Sequence, residues 1–516
     1  MSAPPSPSGE TGAGQARSGF APGGADLRLL LIGLGGLTVL RLVAGALAHL
    51  TEDEAYYRLW SLSLQAGYYD HPPMIAWWIF LGRSLVGDNS LGVRFLPILA
   101  SALTTLLIVD SVRLTGSSMR TAVRAGIWFN ATFLIAFGAI LAIPDASASL
   151  FWTAAVWCVL KARTTRPLLW WAAAGAAAGL ACLSKYSSLF LAPGILLWLA
   201  LTPEGRRTLI KPWPWVAIPI AAALFGINVW WNAHHDWLSF HKQFGRVAGA
   251  GFTGRYLVEF VVAQLILLNP LVLVFLVRAL RRLRPADARE RLLAFLAISA
   301  PFLAYLLVHS LHDRVQAHWP APLYPALAAA AAIGAEGAGD HPWLRPLRTA
   351  APWAGLAVTI VALAWLALPV PWPFGSGDPA HYVRGWDGFA RQVEARRRAA
   401  GVDWVGTLSY GEAAQLASEK AILVPVIQIA ERDRYAFLPL TADVARPGLV
   451  LDLARRVDKP RLQTCFMSVE PLGLMRRTNE KHGLYAAFRV SGIRRAVHGG
   501  CWDTGGEPHP AIQPGR

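Results

Sequence analysis

The chain has 516 residues, 54% of them hydrophobic and only 16% charged, with a formal net charge of +16. A soluble protein of this length needs more charge to solvate its surface, so that class is excluded. The apolar residues come in blocks, which indicates a polytopic membrane protein.

Residues 1–25 are rich in Pro, Gly, Ser and Ala and contain neither an apolar stretch nor a cleavage site. A disordered cytoplasmic tail is expected there, followed by an uncleaved anchor rather than a signal peptide. A span needs about 20 mostly apolar residues. The blocks predict spans near 27–49, 91–112, 121–143, 146–162, 168–184, 186–202, 213–231, 256–277, 292–309, 318–335 and 350–369, eleven in all. Lys and Arg gather in alternate loops: Arg113, Arg120 and Arg124, then Lys161, Arg163 and Arg166, then Arg206, Arg207 and Lys211, then six Arg between 278 and 291. The positive-inside rule then predicts a multi-pass inner (plasma) membrane protein with a cytoplasmic N-terminus. The 51–90 loop and everything after 370 fall outside. The Arg clusters read as faces near anionic lipid, not as a nucleic-acid site.

The membrane region is expected over 26–370 and a soluble extracytoplasmic α/β domain over 371–516. In that domain 385–401 and 410–420 read as helices, whereas DWVGTLS, AILVPVIQI (421–429), GLVLDL (448–453) and LYAAFRV (484–490) read as strands. Cys158 and Cys182 fall inside spans as small apolar residues, while Cys465 and Cys501 lie in the oxidising compartment, where a disulfide between them is expected. No Cys spacing suits a metal.

Ionisable residues concentrate at the outer ends of the spans. Thr51 to Trp78 packs Glu52, Asp53, Glu54, Asp70 and His71 among aromatics directly after the first apolar run. Carboxylates at a span mouth are costly against lipid and so line a polar cavity. The pattern of Tyr57, Leu59, Trp60 and Leu64 predicts a surface helix over 54–66, and Pro72-Pro73 predicts a second through 74–85. A helix N-terminus would also favour Glu52 to Glu54. Asp145, after Pro144, is a second candidate, and capping of its own helix would account for it equally. Lys185 in LSKYS and Arg314 with His318 in HSLHDRVQAHW are fixed polar groups suited to a lipid phosphate, although Lys185 could merely snorkel. The histidines of NAHHDWLSFHK follow no strict metal spacing.

The segment DEAYY…GYYDHPPMIAWW resembles the first outer loop of GT-C type glycosyltransferases that use polyprenyl-phosphate sugars, specifically the family 39-like bacterial proteins (protein mannosyltransferase-like, ArnT-like and Rgt-like). The Asp145 turn, LSKYS, NAHHDWLSF and RVQAHWPAPLYPAL fall where that family has similar segments, so the resemblance covers about 27–335. It implies a GT-C fold, about eleven transmembrane helices with juxtamembrane helices and a small α/β domain. It also implies inverting transfer of a sugar from a polyprenyl-phosphate donor to an acceptor hydroxyl on a lipid, glycan or protein. Asp53 inherits the acidic position at the acceptor, with Glu54 and Asp145 as further catalytic candidates. Lys185, Arg314 and His71 would meet the donor phosphate, and Tyr57, Asp70 and His318 the sugar or acceptor. ArnT-like members carry Glu-Lys-Pro where this chain has Asp70-His71-Pro72, which favours the Rgt-like or an uncharacterised bacterial branch over true ArnT. No nucleotide site or Gly-rich loop is needed; a divalent cation at Asp53, Asp70 or His71 is the alternative source of positive charge. An O-antigen ligase or polymerase shares such donors but not a DE loop after the first span. A transporter would carry its ionisable residues near mid-span.

Overall fold

Without water to satisfy backbone polar groups, apolar blocks in a bilayer must fold as helices. In the computed structural model, which describes residues 22–245, 251–284, 286–337, 341–370, 377–430, 432–457, 459–478 and 483–494, each expected span falls on a helix or a helix pair. Among the described residues six helices are long and apolar enough to cross a membrane by themselves, and up to eight spans result if each bent pair counts as one. The expected span 256–277 is one of these pairs, Arg255–Leu267 and Pro270–Arg281, bent by 104°. Asn269 sits at the break with a positive φ of 64°, and Pro270 cannot donate to the preceding turn. Helices Pro167–Ser184 and Trp213–Ala233 approach so closely that a Cβ on Gly175 would lie 2.4 Å from the Ala217 carbonyl oxygen. Small residues permit such backbone contact where lipid gives helices no hydrophobic drive to associate.

The first loop folds into two short helices. Glu52–Trp60 starts on a capping box in which the Glu54 amide donates to Thr51 Oγ1 at 3.2 Å and the Thr51 amide donates to Glu54 Oε2 at 2.9 Å. It ends earlier than the expected 66, at Ser61. Met74–Val86 begins just after Pro73.

The C-terminal unit holds a five-stranded sheet: β1 (Trp404–Thr407), β2 (Val426–Gln428), β3 (Gly448–Leu453), β4 (Phe466–Arg476) and β5 (Leu484–Ile493), in spatial order β2-β1-β3-β5-β4. β1 pairs parallel with β2 and β3, and β5 pairs antiparallel with β3 and β4. β3 is buried along its whole length, with helix Trp386–Ala399 on one face through Trp386, Phe389 and Val393, and Leu462 and Phe466 on the other. β4 was not expected from the sequence. It is an edge strand whose register shifts between Pro471 and Gly473, residues that argue against a central strand. The expected strand over 421–429 shrinks to Val426–Gln428. Cys158 and Cys182 are free and buried. Cys501, expected to bridge Cys465, lies outside the described residues.

Candidate active site

The C-terminal unit docks onto the first loop. One buried cluster joins Tyr56, Tyr57, Trp60 and Tyr68 of the loop to Ala413, Ala414, Tyr435 and Phe437 of the unit. Helix Tyr410–Ser418 lies against Glu52–Trp60 so closely that a Cβ on Gly411 would fall 2.6 Å from Glu52 Oε2. Gln415 Nε2 donates to the Leu50 carbonyl at 2.7 Å, and His49 Nε2 lies 2.7 Å from Glu419 Oε1.

Under this junction is a cavity of about 690 Å³. Of the residues singled out in the sequence, Asp53, Tyr57, Asp70, His71, Lys185, Arg314 and His318 all line it. Asp145 stands behind Lys185, whose Nζ donates to Asp145 Oδ1 at 2.6 Å; His318 Nε2 is 3.8 Å from the other oxygen. The helix that carries Asp145 starts at Pro144 with Ile143 as N-cap and no side-chain cap bond, so Asp145 does not cap it. Lys185 does not snorkel: it is buried and paired. Arg314 is more exposed and pairs with Glu259, its Nε donating at 2.6 Å. Phe190, Phe244, Phe302 and Tyr305 form an apolar side of the same cavity.

Glu54, a catalytic candidate from the sequence, faces elsewhere. It is 0% exposed, and Arg94 donates to its two oxygens at 2.7 and 2.6 Å, while the Ala142 amide donates at 3.0 Å. Burial raises its pKa, but the Arg94 guanidinium overcomes this and holds the carboxyl below the usual range. Arg94 also reaches the carbonyls of Gly45, Ala48 and His49, tying the end of the first span to the loop. The geometry makes Glu54 a brace for the helix on which Asp53 sits. His234 and His235 likewise turn back, each with Nδ1 2.8 Å from a carbonyl of their own helix, Trp230 and Trp231. Among the described residues no group of three His, Cys, Asp or Glu side chains is placed to hold a metal ion.

Of the cavity residues that the sequence reading missed, two come from the C-terminal unit. Tyr410 Oη donates to Asp53 Oδ1 at 2.8 Å. Arg434 Nη1 lies 2.5 Å from both oxygens of Asp70, and Tyr56 Oη donates to the Arg434 carbonyl at 2.8 Å. Burial raises the Asp70 pKa, and Arg434 opposes that rise. Neither residue belongs to a recognisable motif; the only hint is the mixture of charge and aromatics in RDRYAF (432–437), which resembles that of the first loop.

A family model described as dolichyl-phosphate-mannose-protein mannosyltransferase matches residues 70–231. The computed fold superposes on the crystal structure of ArnT from Cupriavidus metallidurans bound to undecaprenyl phosphate with a TM-score of 0.65, covering 90% of this chain and 98% of that one at 12% identity. The chain has the GT-C fold. Among curated proteins it is 29% identical over 287 residues to a lipid A galacturonosyltransferase, RgtD, of Rhizobium johnstonii, covering 53% of this chain and 58% of that protein. It is 32% identical over 137 residues to an undecaprenyl phosphate-alpha-4-amino-4-deoxy-L-arabinose arabinosyl transferase of Pseudomonas aeruginosa, covering 26% and 23%. The chain thus spans little more than half the length of the first relative and about a quarter of the second. In this GT-C chain the match at 70–231 runs from Asp70 through Asp145 and Lys185, and so takes in part of the cavity lining but not Asp53, Arg314 or His318.

Proposed function

We propose that the chain transfers a sugar from a polyprenyl phosphate to an acceptor hydroxyl, at the membrane face where its cavity opens. The observation that carries this reading is the convergence of Asp53, Lys185, His318 and Arg314 on one cavity with an apolar side. A donor of this kind needs both features: a polar chamber for sugar and phosphate, and an apolar wall along which an isoprenoid can leave into the bilayer. The lipid phosphate is already a good leaving group, so no nucleotide-binding loop is required.

Asp53 is the general base. As the acceptor oxygen bonds to the anomeric carbon, the proton passes to Asp53 and the electrons of the breaking C–O bond pass to the phosphate. Attack opposite the leaving group inverts the anomeric centre. Lys185, Arg314 and His71 offset the charge that grows on the phosphate. Asp145 holds Lys185 in place, and Tyr57, Asp70 and His318 border the sugar and acceptor. The Arg-rich loops cluster at the end of the bundle opposite Asp145 and Lys185, which supports a cytoplasmic N-terminus and a cavity on the outer face of the inner membrane.

Mass spectrometry of envelope lipids and glycans should show one sugar modification lost in a deletion strain and restored by the wild-type gene. Asp53→Asn should lower transfer by at least about 100-fold while the protein still inserts. Near-normal turnover by that variant would overturn the assignment of the base.

A further inference from the structure

Tyr410 is held with unusual completeness for a residue so remote in sequence from Asp53. It opens helix Tyr410–Ser418, which Gly411 and Gln415 fasten to the first loop. Its carbonyl accepts from Tyr435 Oη at 2.6 Å, and the Arg434 guanidinium lies 4.4 Å from its ring centroid. Arg434 is itself fixed by Asp70. A side chain locked by packing and surrounding hydrogen bonds positions its partner within a fraction of an ångström. Tyr410 Oη donates to Asp53 Oδ1, and among the described residues no hydrogen bond is made to Oδ2.

We infer that Tyr410 is a positioning residue for Asp53: it occupies Oδ1 as a permanent donor and leaves Oδ2 to take the acceptor's proton, so that the site is complete only while the C-terminal unit is docked. This rests on Asp53 being the base. Burial, and then the charge of Asp53, keeps the Tyr410 phenol above its ordinary range, so it stays a donor throughout the working pH range. Removing the hydroxyl leaves Oδ1 without its donor and frees the carboxylate to turn, so that Oδ2 is no longer held toward the acceptor. Other titratable and charged groups near Asp53 are Glu52 and Tyr57 on its own helix, Asp70, His71, Asp145, Lys185, Arg314 and His318 from the bundle side, and Arg434 from the C-terminal unit. Tyr410→Phe substitutes none of them.

The experiment adds purified full-length protein to membranes of the deletion strain, which hold both native substrates, and follows product formation against the amount of membrane added. Tyr410→Phe should lower the maximal rate about 10-fold, while the amount of membrane that gives half that rate stays near wild type. 3-Fluorotyrosine at position 410 keeps the shape and the donor, so it should restore most of the rate. An unchanged maximal rate in Tyr410→Phe, or a 3-fluorotyrosine protein as slow as Tyr410→Phe, would overturn the role. Asp53→Asn in the same assay separates this outcome from failure of the base itself: substantial activity there sinks the functional reading, whatever Tyr410→Phe does.

Discussion

The two walls of the cavity are built on different principles. On the bundle side, Asp145 and Lys185 come from adjoining helix ends 40 residues apart, next to Pro144 and at the C-terminus of helix Pro167–Ser184. On the opposite side, Tyr410 and Arg434 reach Asp53 and Asp70 across 357 and 364 residues of sequence. The bundle wall is as rigid as the helices that carry it. The other wall is formed where the α/β unit packs on the first loop.

The largest effect is expected beneath both walls. Glu54→Gln leaves the Arg94 guanidinium buried without its counter-charge, and breaking such a pair costs about 3–5 kcal/mol. The variant should accumulate poorly and unfold early in detergent. A stable Glu54→Gln with selectively lost transfer would instead return Glu54 to the chemistry and weaken the division drawn here.

Lys185→Met tests the bundle wall alone. It should lower donor use by about 10- to 100-fold with little change in apparent acceptor affinity, because a phosphate contact acts on the leaving group. Equal losses for donor and acceptor in steady-state kinetics would mean that Lys185 only supports Asp145.

How much could be read beforehand follows the same division. The bundle wall and the first loop were legible because lipid penalises ionisable residues, so Asp145, Lys185 and Arg314 of the one and Asp53 of the other stood out against apolar neighbours. The α/β fold was legible in part: GLVLDL matches β3 residue for residue, since a strand covered on both faces is nearly all apolar, here with Asp452 as the exception. β4 was not, because its exposed edge, Pro471 and Gly473 lack an apolar signature. Tyr410 and Arg434 were hidden for another reason. In a water-facing domain a lone Tyr or Arg carries no penalty, so only the tertiary fold distinguishes those that reach Asp53 and Asp70. Glu54 erred the other way. Its position beside Asp53 suggested shared chemistry, but successive helical residues point in different directions, and Glu54 points at Arg94.

The Asp70–Arg434 pair measures the hold of the second wall. Asp70→Asn and Arg434→Gln should each reduce transfer, with a coupling energy of about 1–3 kcal/mol between them in a double-mutant cycle. Additive losses would show that the two residues act separately and that this contact is not what keeps the unit docked.

The smallest expected effect lies at the far side of the same junction. Glu412 is buried one residue beyond Gly411, close to Asp452, and Arg456 lies between the two, its Nη2 2.7 Å from Asp452 Oδ1. Burial first, and then Asp452, hold the Glu412 carboxyl well above the usual range, with Arg456 pulling the other way. An acid whose folded value is raised binds its proton more readily in the folded domain than in the unfolded chain. Its contribution to stability is therefore full below the ordinary Glu range and is lost as pH climbs through the raised value. The wild-type protein should become less resistant to heat as pH rises above the ordinary Glu range, and Glu412→Gln should remove part of that fall. About 1 kcal/mol of difference at the alkaline end corresponds to a Tm change of about 2–4 °C. Parallel melting curves for the two proteins across that range would place the pH sensitivity of the second wall at other groups, with Glu52, itself raised by burial beside the same junction, as the next to test.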